Sequence, residues 1–420
     1  MGALEQYTFN PPLSRLSLSF DQPRRIIFGP NSSDQTGREA KRLGGRKVLI
    51  LTDVNVRKAG LSSRVQESIE KDGCRTEVYD KISFEPTIQS VEAAVDAARD
   101  SPGYDVVVAV GGGSVMDTAK MVANMLTNPG EPASYLTPTE DRFAIPSVPK
   151  ILVPTTAGTG SEVSNYSVVI EKETMYKTWA ASSNLLAEVA LIDPAMMLTC
   201  PPRVTAGCSL DVAGHNIEGL ISRESVPISD ALATEAVKLL FRHARRAYHN
   251  PDDLEARSGM AMAAMFGGMV IAYPWIGGPA ILGHCLAEAF GPRYGVPHGI
   301  AVGIALPYIL DFNMSACAEK VCSFAPALGI GRNDGSPDGF SVRATAERVP
   351  KAILQLMKDT DLPRTLKQVG FPKVDIQSFA EYIVDERQHV YNLPRYNPRR
   401  LTVDNTVQLL QDMYDGALEN

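Results

Sequence analysis

Between residues 47 and 200 the chain alternates short apolar, β-branched runs with stretches of helical periodicity. The runs are Lys47-Val-Leu-Ile-Leu-Thr-Asp53, Thr76-Glu-Val-Tyr79, Asp105-Val-Val-Val-Ala-Val110, Lys150-Ile-Leu-Val-Pro154 and Val189-Ala-Leu-Ile-Asp193. Helical spacing of apolar positions falls over residues 35–43, 61–72 and 87–99. A continuous apolar run that ends in polar residues is the pattern of a parallel strand covered on both faces. Its alternation with helices predicts an α/β layer structure built on a parallel sheet. Upstream, the alternating Leu-Ser-Arg-Leu-Ser-Leu-Ser-Phe and Arg-Ile-Ile-Phe segments within residues 14–29, separated by Asp21-Gln-Pro23, predict two short strands forming an N-terminal ribbon. Pro201-Pro202 marks a domain boundary, because strand signals stop there and helical patterns follow over 229–249, 251–271, 300–328, 341–358, 374–388 and 402–416. The expectation is an α/β domain over residues 1–200 and an all-helical domain over residues 201–420.

Composition narrows the classes open to such a chain. With 420 residues, 44% of them hydrophobic, it can bury a large core and is long enough for two domains. The formal charge of −7 is spread through mixed acidic and basic residues, without the basic tract that nucleic-acid binding needs. The N-terminus lacks a charged start followed by an apolar run, so no signal peptide is expected. Gln6 stands where a myristoylation motif wants Ser or Thr. No run of about 18 apolar residues is present, so no membrane span is expected. Six cysteines without a CxxC suit a reducing cytoplasm, and Cys285 reads as a buried inert thiol rather than an oxidation-sensitive one. His243, His249 and His389 stand among charged neighbours and read as surface residues.

Three stretches carry candidate chemistry. Strand 105–110 runs into Gly111-Gly-Gly-Ser114 and then a helical sequence, a turn in which backbone amides and a helix N-terminus can meet a phosphate, with Ser114 able to cap the helix. A tight strand-to-helix turn is the structural alternative, and the GxGxxG fingerprint is missing. Strand 150–154 leads into Thr155-Thr-Ala-Gly-Thr-Gly-Ser-Glu162, where Thr155, Thr156, Thr159, Ser161 and Ser164 offer donors toward the same groove. Ligands of open α/β sheets bind outside the carboxyl ends of the strands, which favours two such turns acting together. The third stretch holds Asp211-Val-Ala-Gly-His215, His284 and His298. A spacing of four puts Asp211 and His215 on one helical face. One carboxylate and three imidazoles form a donor set suited to Zn(II) or Fe(II); a capping or surface pair is the alternative for Asp211 and His215.

Read together, Gly111-Gly-Gly-Ser-x-x-Asp-x-x-Lys120, Pro154-Thr-Thr-x-Gly-Thr-Gly-Ser-Glu162, Asp211-x-x-x-His215, His284, Pro297-His-Gly299 and Asn397-Pro-Arg399 resemble the iron-containing (group III) alcohol dehydrogenase family. The resemblance implies an N-terminal dinucleotide-binding domain and a helical metal-binding domain of dehydroquinate-synthase-like architecture, with catalysis in the cleft between them. It implies metal ligation by Asp211, His215, His284 and His298. Gly112, Gly113 and Ser114, followed by Asp117, would meet the pyrophosphate, and Thr155, Thr159, Ser164 and Lys177 the nicotinamide side. Asp53 matches the position that meets the adenosine ribose, where a carboxylate favours NAD over NADP. A homodimer is also implied. The implied activity is hydride transfer between NAD(H) and a small alcohol, or hydroxy acid, and its aldehyde or ketone. Where many members carry a second histidine four residues after the third ligand, this chain has Glu288, which would relay a proton, repel acidic substrates or pair with Arg293. The hydroxyacid-oxoacid transhydrogenase branch also lacks that histidine, and Asn250-Pro-Asp-Asp-Leu-Glu-Ala-Arg-Ser258 is similar to it. A transhydrogenase that recycles bound NAD is therefore the alternative, with a synthase or lyase of the dehydroquinate-synthase-like group behind it.

Overall fold

The computed structural model describes residues 18–137, 140–272, 281–330 and 342–419, which divide into two compact units. One comprises residues 21–201 together with 250–261, and the other includes 202–249 and 262–420.

The first unit contains β1 (Ile26–Phe28), α1 (Thr36–Arg42), β2 (Lys47–Leu51), α2 (Val54–Lys58), α3 (Leu61–Lys71), β3 (Arg75–Tyr79), α4 (Ile88–Asp100), β4 (Val106–Gly111), α5 (Gly113–Met125), β5 (Lys150–Pro154), β6 (Tyr166–Glu171), β7 (Tyr176–Ala181) and β8 (Val189–Ile192). Six strands form an all-parallel sheet in the order β1-β8-β5-β4-β2-β3. Val106, Val107, Val108, Ala109 and Val110 are completely buried, as a central strand covered on both faces requires. Apolar clusters lie on the two sides, one with α4 and α5 and the other with α1 and α3. The chain winds outward from β2 to β3 on one side and from β4 to β5 on the other, so β2 and β4 flank the point where the strand order reverses. Ligands of such sheets collect there.

Two expectations about strands change. Residues 18–20 are not strand, residues 14–17 lie outside the described residues, and Ile26–Phe28 pairs with β8 at the edge of the main sheet instead of forming a ribbon. An edge position satisfies the short β1 through one neighbour, which a local alternation pattern cannot distinguish from a hairpin. The antiparallel pair β6–β7 was not anticipated, because its polar interruptions dilute the alternation.

The second unit is helical among its described residues. It includes α6 (Pro202–Ile221), α7 (Pro227–His249), α9 (Leu282–Phe290) and α10 (His298–Phe324), with further helices at Arg348–Asp359, Ile376–Tyr382 and Val403–Asp415; α8 (Leu254–Ile271) starts in the segment grouped with the first unit. Glycines set the approach of α10 to α6. A Cβ on Gly299 would sit 2.1 Å from the Gly207 carbonyl oxygen, one on Gly303 2.1 Å from Leu210 Cδ1, and one on Gly214 2.3 Å from Val302 Cγ1. Asn397 and Asn313 exchange side-chain hydrogen bonds of 2.9 and 3.2 Å, and Arg399 donates to the Phe312 carbonyl at 3.1 Å, so the Asn397-Pro-Arg399 motif latches the C-terminal segment onto α10. His243 is buried on the inner face of α7, unlike the exposed His389, because helical phase outweighs charged sequence neighbours. The helical segment His298–Leu328 contains a window with mean hydropathy 1.5, apolar enough to cross a membrane, and 83% of that window is buried inside the protein. Small residues interspersed through it hide this window from a search for unbroken apolar runs.

Candidate functional site

The metal-type donors converge in the helical unit. On α6, Asp211, His215 and Glu218 are spaced four and three apart and share one face. His284 stands in the first turn of α9, and His298 is the first residue of α10, with Pro297 as its N-cap. The Asp211 Oδ1 atom lies 3.6 Å from His215 Nε2, 3.7 Å from His284 Nε2 and 3.4 Å from His298 Nε2. Asp211, His284 and His298 offer ligand atoms within 4.8 Å of one another. The His215 and His284 rings stack at 4.8 Å between centroids.

This arrangement fits a small cation. A tetrahedral ion with bonds of about 2.1 Å holds its ligand atoms roughly 3.4 Å apart, close to the spacing from Asp211 to the imidazoles. Asp211 Oδ1 and His284 Nε2 are buried and make no hydrogen bond among the described residues, a costly state for polar atoms that an ion would relieve. Burial alone would raise the Asp211 carboxyl, but the facing His215, His298 and His284 imidazoles hold it well below the usual carboxylate range. Burial likewise lowers the His284 imidazole, yet Glu218 and Asp211 overcome this and push it up to about 10. The cluster therefore attracts positive charge. Its open side is at His298, whose side chain keeps 19% exposure against 5% or less for the other three.

Sequence reasoning missed Glu218. Completely buried, it accepts from His284 Nδ1 at 2.8 Å through Oε1, and from the backbone N–H of Ile281 at 2.8 Å and Gly283 at 3.0 Å through Oε2. With the Nδ1 proton held by Glu218, it is the Nε2 proton that an incoming ion displaces, which leaves the tautomer a metal-bound imidazole requires. Gly283 makes room for this, since a Cβ there would meet Glu218 Oε1 at 2.4 Å. An acidic residue seven positions after Asp211 was the available signal.

Glu288 is buried one turn along α9 from His284, and it accepts a hydrogen bond from the buried Tyr391 hydroxyl rather than pairing with the exposed Arg293. Tyr391 follows a π-helical turn, Ile383–Arg387, and Arg387 stands 5.4 Å from its ring centroid. Cys285 is completely buried, and that burial pushes its thiol up to about 12, an inert state.

In the α/β unit the two small-residue turns leave adjacent strands. A Cβ on Gly112 would lie 3.1 Å from Thr156 Oγ1, and one on Gly113 2.6 Å from Thr159 Cγ2, so both glycines permit close contact between the turns. Gly112 is the N-cap of α5 and no side chain caps the helix. Ser114, expected to cap it, instead accepts from the Glu85 backbone N–H at 3.1 Å, because it already lies inside the first turn. Asp117 accepts from Ser161 Oγ at 2.6 Å and the Val168 backbone N–H at 3.1 Å, which ties α5 to the second turn. Thr155, just past the end of β5, Ser164, ahead of β6, and Lys177, on β7, are all buried. Asp53, at the end of β2, caps α2 by accepting from Asn55 and Val56 through Oδ1 alone, leaving its second oxygen outside the cap.

Comparison with known proteins covers both units. The family described as iron-containing alcohol dehydrogenase matches residues 23–194, and the C-terminal family of Fe-containing alcohol dehydrogenases matches residues 205–414. Long-chain-alcohol dehydrogenase 1 of Geobacillus thermodenitrificans is 33% identical over 377 residues, 88% of this chain and 92% of its own length. Sulfoacetaldehyde reductase of Bilophila wadsworthia is 30% identical over 398 residues, covering 94% and 98%. Among solved structures, a 1,3-propanediol oxidoreductase aligns with a TM-score of 0.87 at 28% identity, over 95% of this chain and 100% of that one. Sulfoacetaldehyde reductase from Bifidobacterium kashiwanohense, solved in complex with NAD+, aligns with a TM-score of 0.81 at 26% identity, over 95% and 99%.

Proposed function

Since the chain belongs to the iron-containing alcohol dehydrogenase family, we propose that it is a metal-dependent, NAD(H)-linked oxidoreductase interconverting a small alcohol with its aldehyde or ketone. The observation that carries the reading is the buried meeting of Asp211 with the histidine imidazoles, with Glu218 selecting the His284 tautomer. When bound, the ion supplies Lewis acidity toward a substrate oxygen and the nicotinamide supplies the hydride acceptor or donor.

In this reading Asp211, His215, His284 and His298 hold one divalent ion. The donor set accepts Fe(II) or Zn(II), and the family's description favours iron. Gly112 and Gly113 let backbone amides at the start of α5 face a diphosphate. Ser114 and Asp117 support that turn, Thr155, Thr156, Thr159 and Ser164 belong to the second, and Lys177 on β7 completes the nicotinamide-side set. The Asp53 oxygen outside the helix cap is suited to a ribose hydroxyl and opposes a 2′-phosphate, favouring NAD over NADP. Glu288, joined to Tyr391, holds a proton-bearing group one helical turn from His284. The reading further includes a homodimer, in a reducing compartment such as the cytoplasm that keeps the six free cysteines as thiols.

The test is elemental analysis of protein purified without oxygen, followed by NADH oxidation against a panel of aldehydes, ketones and oxo acids. One divalent ion per chain and substrate-dependent NADH oxidation are expected. Hydride exchange between a hydroxy acid and an oxo acid without free NAD would instead support the transhydrogenase alternative. Metal-free protein lacking either activity would sink the assignment.

A further inference from the structure

Lys120, which the proposed chemistry does not use, is completely buried in α5. Its ammonium donates to the Tyr166 carbonyl at 2.7 Å and to Ser164 Oγ at 3.2 Å, and it lies 3.6 Å from Asp117 Oδ1. Asp117 in turn holds Ser161 and the Val168 backbone N–H, and its own carbonyl accepts from Ser167 Oγ at 2.9 Å. Glu162, also buried, adds a second carboxyl to the surroundings of Lys120, while the buried Lys150 on β5 opposes it. The segment held this way continues directly from the turn whose Thr156 and Thr159 touch the positions of Gly112 and Gly113.

We propose that Lys120 is a positioning residue for dinucleotide binding: its ammonium ties α5 to residues 161–168 and thereby keeps the threonine turn seated against the glycine turn. The inference rests on reading these turns as the NAD(H) cradle. A buried charge is costly unless fully partnered. Loss of the ammonium therefore leaves Asp117 without its neighbouring cation and removes the bonds from α5 to Ser164 Oγ and the Tyr166 carbonyl, so that only Asp117 still ties the helix to this segment. Burial is the largest influence on Lys120 and lowers it to about 8, with Asp117 and Glu162 acting to retain its proton. Burial also raises Glu162 to about 7. The clamp is thus charged at neutral pH and weakens as pH rises through 8.

NADH binding to the metal-loaded protein, followed by nicotinamide fluorescence on both sides of pH 8, tests this directly. Lys120→Met should weaken NADH binding roughly tenfold or more, the scale set by losing hydrogen bonds made by a buried charged group. The loss should appear in Kd for NADH and KM for NAD+, with metal content at the wild-type level. Wild-type affinity should fall above pH 8 and the variant should lack that step. Glu162→Gln removes a negative charge that supports the ammonium and should move the step to lower pH, which provides a test even if Lys120→Met fails to fold. Equal affinity and an unchanged pH profile in Lys120→Met, or an unmoved step in Glu162→Gln, overturns the proposal. Wild-type protein that binds no NADH overturns the functional reading beneath it.

Discussion

Replacing Glu218 by Gln separates the geometry of the metal centre from its ligands. The carboxylate uses both oxygens as acceptors, one toward His284 Nδ1 at 2.8 Å and the other toward the Ile281 and Gly283 backbone N–H groups. A glutamine of the same shape has one acceptor and one donor end. Two backbone N–H groups demand the carbonyl end, so the NH2 must face His284. The imidazole then has to accept at Nδ1 and carry its proton on Nε2, where the ion needs a lone pair. Removing such an orienting partner typically costs 10–100-fold in metal affinity, or about 1.4–2.7 kcal/mol. Chelator competition at fixed pH, with metal retained per chain as the readout, measures the change. NADH affinity, assigned under the proposed function to the glycine and threonine turns of the other unit, serves as an internal control. Glu218→Gln protein that keeps its ion as tightly as wild type would refute the tautomer argument.

Metal affinity should also rise with pH. In the metal-free protein His284 holds its proton up to about 10, so an ion binding between the ordinary histidine value of 6.5 and 10 must displace that proton. Chelator competition should give weaker binding at the acid end of that window. The same raised imidazole stabilises the metal-free fold fully below 6.5, a contribution lost as pH rises through 10, which denaturant midpoints of metal-free protein will follow. Gly299→Ala would place a Cβ 2.1 Å from the Gly207 carbonyl oxygen, forcing α10 and its His298 away from α6. Overpacking costs about 1–3 kcal/mol, so a lower denaturant midpoint and reduced metal content are expected together. Glu288→Gln and Tyr391→Phe should each depress turnover while leaving metal content intact; normal turnover in both would remove the pair from the chemistry.

The apolar runs at 47–51, 106–110, 150–154 and 189–192 are legible as parallel strands because burial on both faces leaves an unbroken hydrophobic signature. The glycine and threonine turns are legible for a similar reason: close backbone approach excludes larger residues. Asp211 and His215 are visible locally because spacing four puts them on one helical face, whereas His284 and His298 are joined to them only through the resemblance to the family's motifs. The chain alone did not reveal that Glu218 selects the His284 tautomer, that Tyr391 rather than Arg293 meets Glu288, or that β1 joins the edge of the main sheet. Each depends on partners 66, 103 or more than 160 residues apart in sequence. Periodicity says which face of a helix or strand is buried; only the packed tertiary structure decides what that face meets.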